Sequence, residues 1–92
     1  MKNFIATHEF KSEALREQYF QAFSQMSDED ISAAVNGEKA ACQMNWANGT
    51  ASMRMFCWWR AESGDAIIEQ LGDKNNFFDT VCEEMDSVAD FR

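Results

Sequence analysis

His8 is the single histidine of this 92-residue chain, and imidazole is the side chain that ordinarily gains and loses a proton near neutral pH. It is therefore the first candidate for acid–base work. Glu9 follows it directly, but in an extended segment successive side chains point to opposite faces, so the two form no ready-made dyad. A strand histidine with no chemistry is the plainer alternative. The second candidate set is sulfur: Cys42, Met44, Met53, Met55 and Cys57. Thiolates and thioethers are soft ligands that suit Cu(I). Met and free Cys are also common core filling, and that reading is preferred. No Cys-x-x-Cys or His-x-x-x-His spacing exists for zinc. The acidic runs Asp28-Glu29-Asp30 and Glu83-Glu84-Met85-Asp86 lack the alternating carboxylates and central glycine of a calcium loop. There is no nucleophile elbow, phosphate-cradling glycine loop or Ser/His/Asp pattern. No cofactor and no metal site are expected.

The elements that must carry these residues follow from patterning. Asn3 to Phe10 mixes β-branched and aromatic residues and predicts a strand. Ser12 predicts a helix cap, followed by an apolar stripe of Leu15, Tyr19, Ala22, Phe23 and Met26, with Phe20 beside it. Ser27-Asp28-Glu29-Asp30 has capping-box spacing for a second short helix through Ile31, Ala34 and Val35. Asn36-Gly37 is expected to end it, with the glycine in a left-handed cap. Ala40–Trp46 and Ala51–Trp59 flank Asn48-Gly49, the strongest short hairpin signal, since a type I′ turn needs positive φ twice. A two-residue turn there pairs Ala47 with Thr50, Trp46 with Ala51, Met44 with Met53 and Cys42 with Met55. On the other face it pairs Asn45 with Ser52, Gln43 with Arg54 and Ala41 with Phe56. Ser63 predicts a third helix through Ala66, Ile67 and Leu71, stopped at Gly72. From Asn75 onward the signal is mixed. Phe77, Val81 and Met85 recur every fourth residue, as in a helix, yet a fourth strand is expected at Asp79–Met85 or Val88–Phe91. Strand, helix, hairpin, helix, strand is the ferredoxin-like βαββαβ order, an α+β antiparallel sheet with helices on one face, in a single domain spanning 1–92.

Such a sheet leaves its other face open. The expected register puts Cys42, Met44, Trp46, Met53, Met55, Cys57 and Trp59 under the helices and Arg54, Phe56, Trp58 and Arg60 on the open side. If the faces are reversed, Trp46 and Trp59 become the exposed pair. In the expected assignment Phe56 and Trp58 form an apolar patch that a monomer rarely leaves bare, which predicts a homodimer packed sheet to sheet. A pocket at that junction, with Arg54 and Arg60 holding an anionic group, is the sharper candidate. His8 neighbours the second hairpin strand in this fold and is expected near Trp58 or Cys57.

Composition sets the outer bounds. Eight Lys plus Arg against sixteen Asp plus Glu give a net charge of −8, a field that disfavours nucleic acid and anionic membrane surfaces as partners. No apolar run approaches the ~20 residues of a membrane span, and the opening Met1-Lys2-Asn3-Phe4-Ile5 lacks the long apolar stretch expected of a secretory signal. Cys42, Cys57 and Cys82 are odd in number and without disulfide-framework spacing, so a cytoplasmic location with reduced thiols is expected.

The stretch Met55-Phe56-Cys57-Trp58-Trp59-Arg60-Ala61-Glu62-Ser63-Gly64-Asp65-Ala66-Ile67, with the opening Asn3–Phe10 strand, resembles a family of small ferredoxin-like domains of unknown function, one subgroup of which is associated with nickel binding. Through the Trp58/Trp59-to-Ser63 junction it also resembles dimeric α+β barrel proteins, including small cofactor-independent monooxygenases. These likenesses imply the fold and a dimer. Nickel would want imidazole or carboxylate ligands, and this chain offers His8, with Glu9 or a second copy across a dimer. The leading expectation is a non-enzymatic homodimeric module with a small-molecule ligand as a candidate partner. A small enzyme using His8 and a nickel or copper protein stand as alternatives.

Overall fold

The computed structural model describes residues 1–49 and 51–92. Four strands, β1 (Lys2–Phe10), β2 (Ala40–Ala47), β3 (Arg54–Ala61) and β4 (Phe78–Met85), form one antiparallel sheet in the order β2-β3-β1-β4. Three helices, α1 (Glu13–Ser24), α2 (Asp28–Ala34) and α3 (Gly64–Leu71), complete the expected ferredoxin-like α+β arrangement. A short 3-10 helix, Gly72–Asn76, joins α3 to β4. Among the described residues, no helix is long and apolar enough to cross a membrane.

Each helix begins where a serine can cap it. Ser12 Oγ accepts from the Leu15 N–H, Ser27 Oγ from Asp30 and Ser63 Oγ from Ala66, each at 3.1 Å. An acidic first turn complements the helix dipole in all three. Gly72 ends α3 at φ 55°, the only positive φ among the described residues. The left-handed cap expected at Gly37 is therefore not made. Instead the Asn36 side chain donates to the Ser32 carbonyl at 2.8 Å and closes α2.

The core lies between the helices and one sheet face. Phe4, Ala6, His8 and Phe10 of β1, Met55, Cys57, Trp59 and Ala61 of β3, and Phe78 of β4 are buried there. Tyr19 of α1 and Ile67 and Leu71 of α3 close over them. Residues 78–85 form a strand rather than the helix that the fourfold spacing of Phe77, Val81 and Met85 suggests. Pairing with β1 over Asn3↔Met85 to Phe10↔Phe78 decides the matter, because tertiary pairing overrides a weak local period.

The hairpin departs most from expectation. Asn48 to Met53 form a longer connection in which the Asn48 carbonyl accepts from the N–H groups of Ala51 and Ser52 at 3.2 and 2.9 Å. The register becomes Ala47↔Met55, Trp46↔Phe56, Asn45↔Cys57 and Met44↔Trp58, then shifts at a β-bulge to Cys42↔Trp59. The expected Ala47–Thr50 pair falls outside the described residues. One extra residue in a strand reverses which face later side chains take. Met44 and Trp46 thus lie on the open face, not under the helices, and Met53 belongs to the loop.

Candidate functional site

β1 and β3 are adjacent and antiparallel, with Ala6 opposite Cys57 and His8 opposite Met55. His8 is consequently the diagonal neighbour of Cys57 on the helix-covered face, within reach of a ring side chain. It approaches Cys57; Trp58 lies on the other face. Glu9 points away, as expected, and pairs with Arg54 at 3.3 Å on the open side.

His8 is fully buried. Its Nδ1 shares a 2.7 Å hydrogen bond with Thr80 Oγ1 of β4, and its ring packs on Phe78 at 4.5 Å between centroids. Its Nε2 is buried without a hydrogen-bond partner, and so is the indole Nε1 of Trp59. Both residues line one cavity of about 300 Å³ between the sheet and the helices. The rest of its wall is Tyr19, Phe20 and Phe23 of α1, Ile31 and Val35 from the α2 region, Leu71 of α3, and Cys42, Asn45, Met55 and Cys57 of the hairpin. Ile31, Val35 and Cys42 are half-buried and Asn45 is exposed, which places the mouth between α2 and β2.

The bulge matters here. It brings both Cys42 and Asn45 to the cavity side of β2, three residues apart. Asn45 Nδ2 donates to Cys57 Sγ at 2.9 Å, and Cys42 Sγ reaches the Met44 carbonyl at 3.5 Å. The two thiols are driven in opposite directions. The neighbouring Cys42 thiol, helped by His8 and Asn45, draws the Cys57 thiol down against the upward pull of burial. The same proximity to Cys57, then burial, holds Cys42 well above the ordinary thiol range. Burial, followed by the nearby sulfurs Cys57 and Cys42, pushes the Tyr19 phenol up.

The four open-face candidates of β3 lie together as expected, but they are spread along the strand. Phe56 and Trp58 sit at its centre, with Arg54 and Arg60 at opposite ends. Six residues of strand separate the arginines by roughly 20 Å, too far for both to grip one small anion within a subunit. Arg54 is in addition engaged by Glu9. The sulfur set also divides: Cys42, Met55 and Cys57 face the cavity, while Met44 and Met53 do not. Among the described residues, no three His, Cys, Asp or Glu side chains converge as a metal ion would require. Sequence patterning marked His8 but not Thr80, Asn45 or Trp59, whose roles depend on a register and a bulge that carry no local signal.

Topology and helix placement define the class: a ferredoxin-like α+β domain with an apolar, sulfur-edged cavity beneath its helices. No family model matches the chain, and no curated protein matches it. Among solved structures it is similar to a dimeric ferredoxin-like protein from an uncultured marine organism, at a TM-score of 0.49 and 15% identity, over 100% of this chain and 99% of that one.

Proposed function

We propose that this chain binds a small, uncharged, largely apolar molecule beneath its helices, rather than in a cleft between open sheet faces. One observation carries this reading: two buried N–H or N sites, His8 Nε2 and Trp59 Nε1, lack partners in the wall of the same cavity. A buried polar group left unpaired costs about 1–3 kcal/mol. A ligand oxygen that accepted from the Trp59 indole N–H would recover that cost, while the aromatic wall would bury the remainder. The volume lies at the lower edge of the ~300–1,000 Å³ typical of small-molecule sites.

The test uses 1-tetralone, two fused rings with one carbonyl oxygen, titrated calorimetrically into the full chain. Binding is expected with a Kd between about 0.01 and 1 mM, the range for a ligand of this size at ordinary efficiency. Ile31→Trp, which fills the mouth from α2, should weaken it at least tenfold, and anionic 1-naphthoate should not bind. Absence of tetralone binding, or equal binding by the filled variant, overturns the reading.

A second reading concerns the open face and is favoured by its own observation. Trp46, Phe56 and Val81 are 48, 41 and 69% exposed, and the register sets them in one row across the sheet, Trp46–Phe56–Thr7–Val81. The adjoining row is Met44–Trp58–Ile5–Glu83. The basic side chains of this face, Arg54 and Arg60, are on β3, and the adjacent central strand β1 carries Glu9. A two-fold axis parallel to the strands, between β3 and β1, would lay β3 of one copy over β1 of the other, basic strand to acidic, while covering the apolar rows. This self-complementarity supports a second copy of the chain as the occupant.

A further inference from the structure

A buried cysteine is ordinarily inert filling. Cys57 differs in its surroundings. Its sulfur accepts a 2.9 Å hydrogen bond from Asn45 Nδ2. A second thiol, Cys42, and the unpartnered Nε2 of His8 share its cavity. His8 is in turn oriented from behind by Thr80 at 2.7 Å. Nucleophile, base and orienting hydroxyl thus lie in order on the adjacent strands β3, β1 and β4, with Cys57 and His8 diagonal neighbours on one face, close enough for a ring to reach the thiol it would activate. Asn45 is the donor that steadies negative charge on sulfur.

We propose that Cys57 is a nucleophile that adds to small, uncharged conjugated carbonyl compounds seated in this cavity, with His8 as its proton carrier. The proposal rests on the cavity being a binding site. With Nδ1 donating to Thr80 Oγ1, the Nε2 lone pair is free to take the Cys57 proton. The sulfur then forms a bond to the β-carbon of the ligand. The electron pair of the C=C bond moves through the α-carbon to the carbonyl oxygen, where the Trp59 indole N–H can meet it. Nε2–H returns its proton to the α-carbon. One C–S bond and one C–H bond form, one S–H bond and one C=C π bond are lost, and nothing else is consumed. This reaction class suits the site because it needs no leaving group, oxidant or water in an apolar enclosure. The titratable groups facing Cys57 are His8 from β1, Cys42 from β2 and Tyr19 from α1; the α2 region and α3 bring Ile31, Val35 and Leu71.

The experiment exposes the full reduced chain to 2-cyclohexen-1-one at a series of pH values, maps the adduct by peptide mass spectrometry and times its appearance. The adduct is expected on Cys57 ahead of Cys42 and Cys82, both held above the ordinary thiol range. Its rate should be half-maximal well below the ~8.5 of a free thiol. His8→Gln should slow it at least tenfold, and saturating 1-tetralone should protect it. Should His8→Gln fail to fold, the pH profile of the unmodified chain decides alone. Tetralone binding with no Cys57 adduct, or a Cys57 rate that follows an ordinary thiol, overturns the chemistry and leaves the cavity reading standing. Loss of tetralone binding and adduct together removes both.

Discussion

An imidazole removed from water must find partners for two nitrogens, and His8 finds one. The Thr80 hydroxyl satisfies Nδ1 and fixes the ring plane; Nε2 is left to the cavity. Thr80→Val keeps the shape of the side chain and removes its oxygen, leaving both ring nitrogens unpaired. The loss should be about 1–3 kcal/mol of folding stability, the usual cost of orphaning a buried polar group. It would be read as a lower urea midpoint at unchanged slope, with Thr80→Ser largely restoring it. An equal midpoint for the valine variant would mean that the hydroxyl does not hold His8. His8 stood out in the sequence as a candidate because it is the single histidine, and on a strand. Its partner was not: 72 residues separate His8 from Thr80, and only the β1–β4 register sets them side by side. Cys57 appeared as one sulfur among five for the same reason. What distinguishes it is Asn45, whose face is set by the bulge.

At the scale of elements, the serine caps, the strand–helix order and the stop at Gly72 were readable because each is a local device whose residues contact their own neighbours. The hairpin failed where local chemistry met a competing contact. Gly49 adopts no positive φ; its smallness serves instead to let the connection lie against α1, where a Cβ would fall 2.7 Å from Phe20 Cδ2. Arg16 of α1 reaches the same connection and donates to the Ser52 carbonyl at 3.3 Å. Docking on α1 thus takes the place of the tight turn, and the lengthened loop shifts the register, while the bulge returns Cys42 to the helix-covered face. Gly49→Ala should therefore destabilise by overpacking, about 1–3 kcal/mol, rather than by backbone strain. The distinction is measurable in a double-mutant cycle. Phe20→Leu should relieve much of the Gly49→Ala penalty, giving a coupling of at least ~0.5 kcal/mol. Additive effects would return the glycine to a purely conformational role.

For the whole molecule, the decisive quantity is how much surface the open face can offer. Four strands about 4.8 Å apart and eight residues long present roughly 500 Å² of projected area per subunit. Standard stable interfaces bury ~800 Å² per partner. Side-chain edges enlarge the smaller figure, yet the comparison argues for an association that dilution can reverse. The bulge strengthens the case, because it adds Trp46 and Met44 to Phe56 and Trp58 on this side. Trp58 is partly shielded and donates its indole N–H to Asn3 at 3.0 Å, so Phe56 and Trp46 carry more of the uncovered apolar area. Light scattering should accordingly find a dimer at about 100 μM that dissociates toward monomer near 1 μM. Phe56→Asp should weaken it at least tenfold, since it sets an unpaired charge in the apolar row and costs well over 1.4 kcal/mol per subunit pair. Trp58→Asp should act in the same direction. Glu9→Lys should also weaken it, by placing like charge opposite the basic strand of the second copy, and added salt should soften that penalty. Tetralone binding beneath the helices should be unchanged in Phe56→Asp, because cavity and patch occupy opposite faces of one sheet. A chain that remains monomeric at several hundred micromolar would instead leave Trp46, Phe56 and Val81 as surface that no second copy covers.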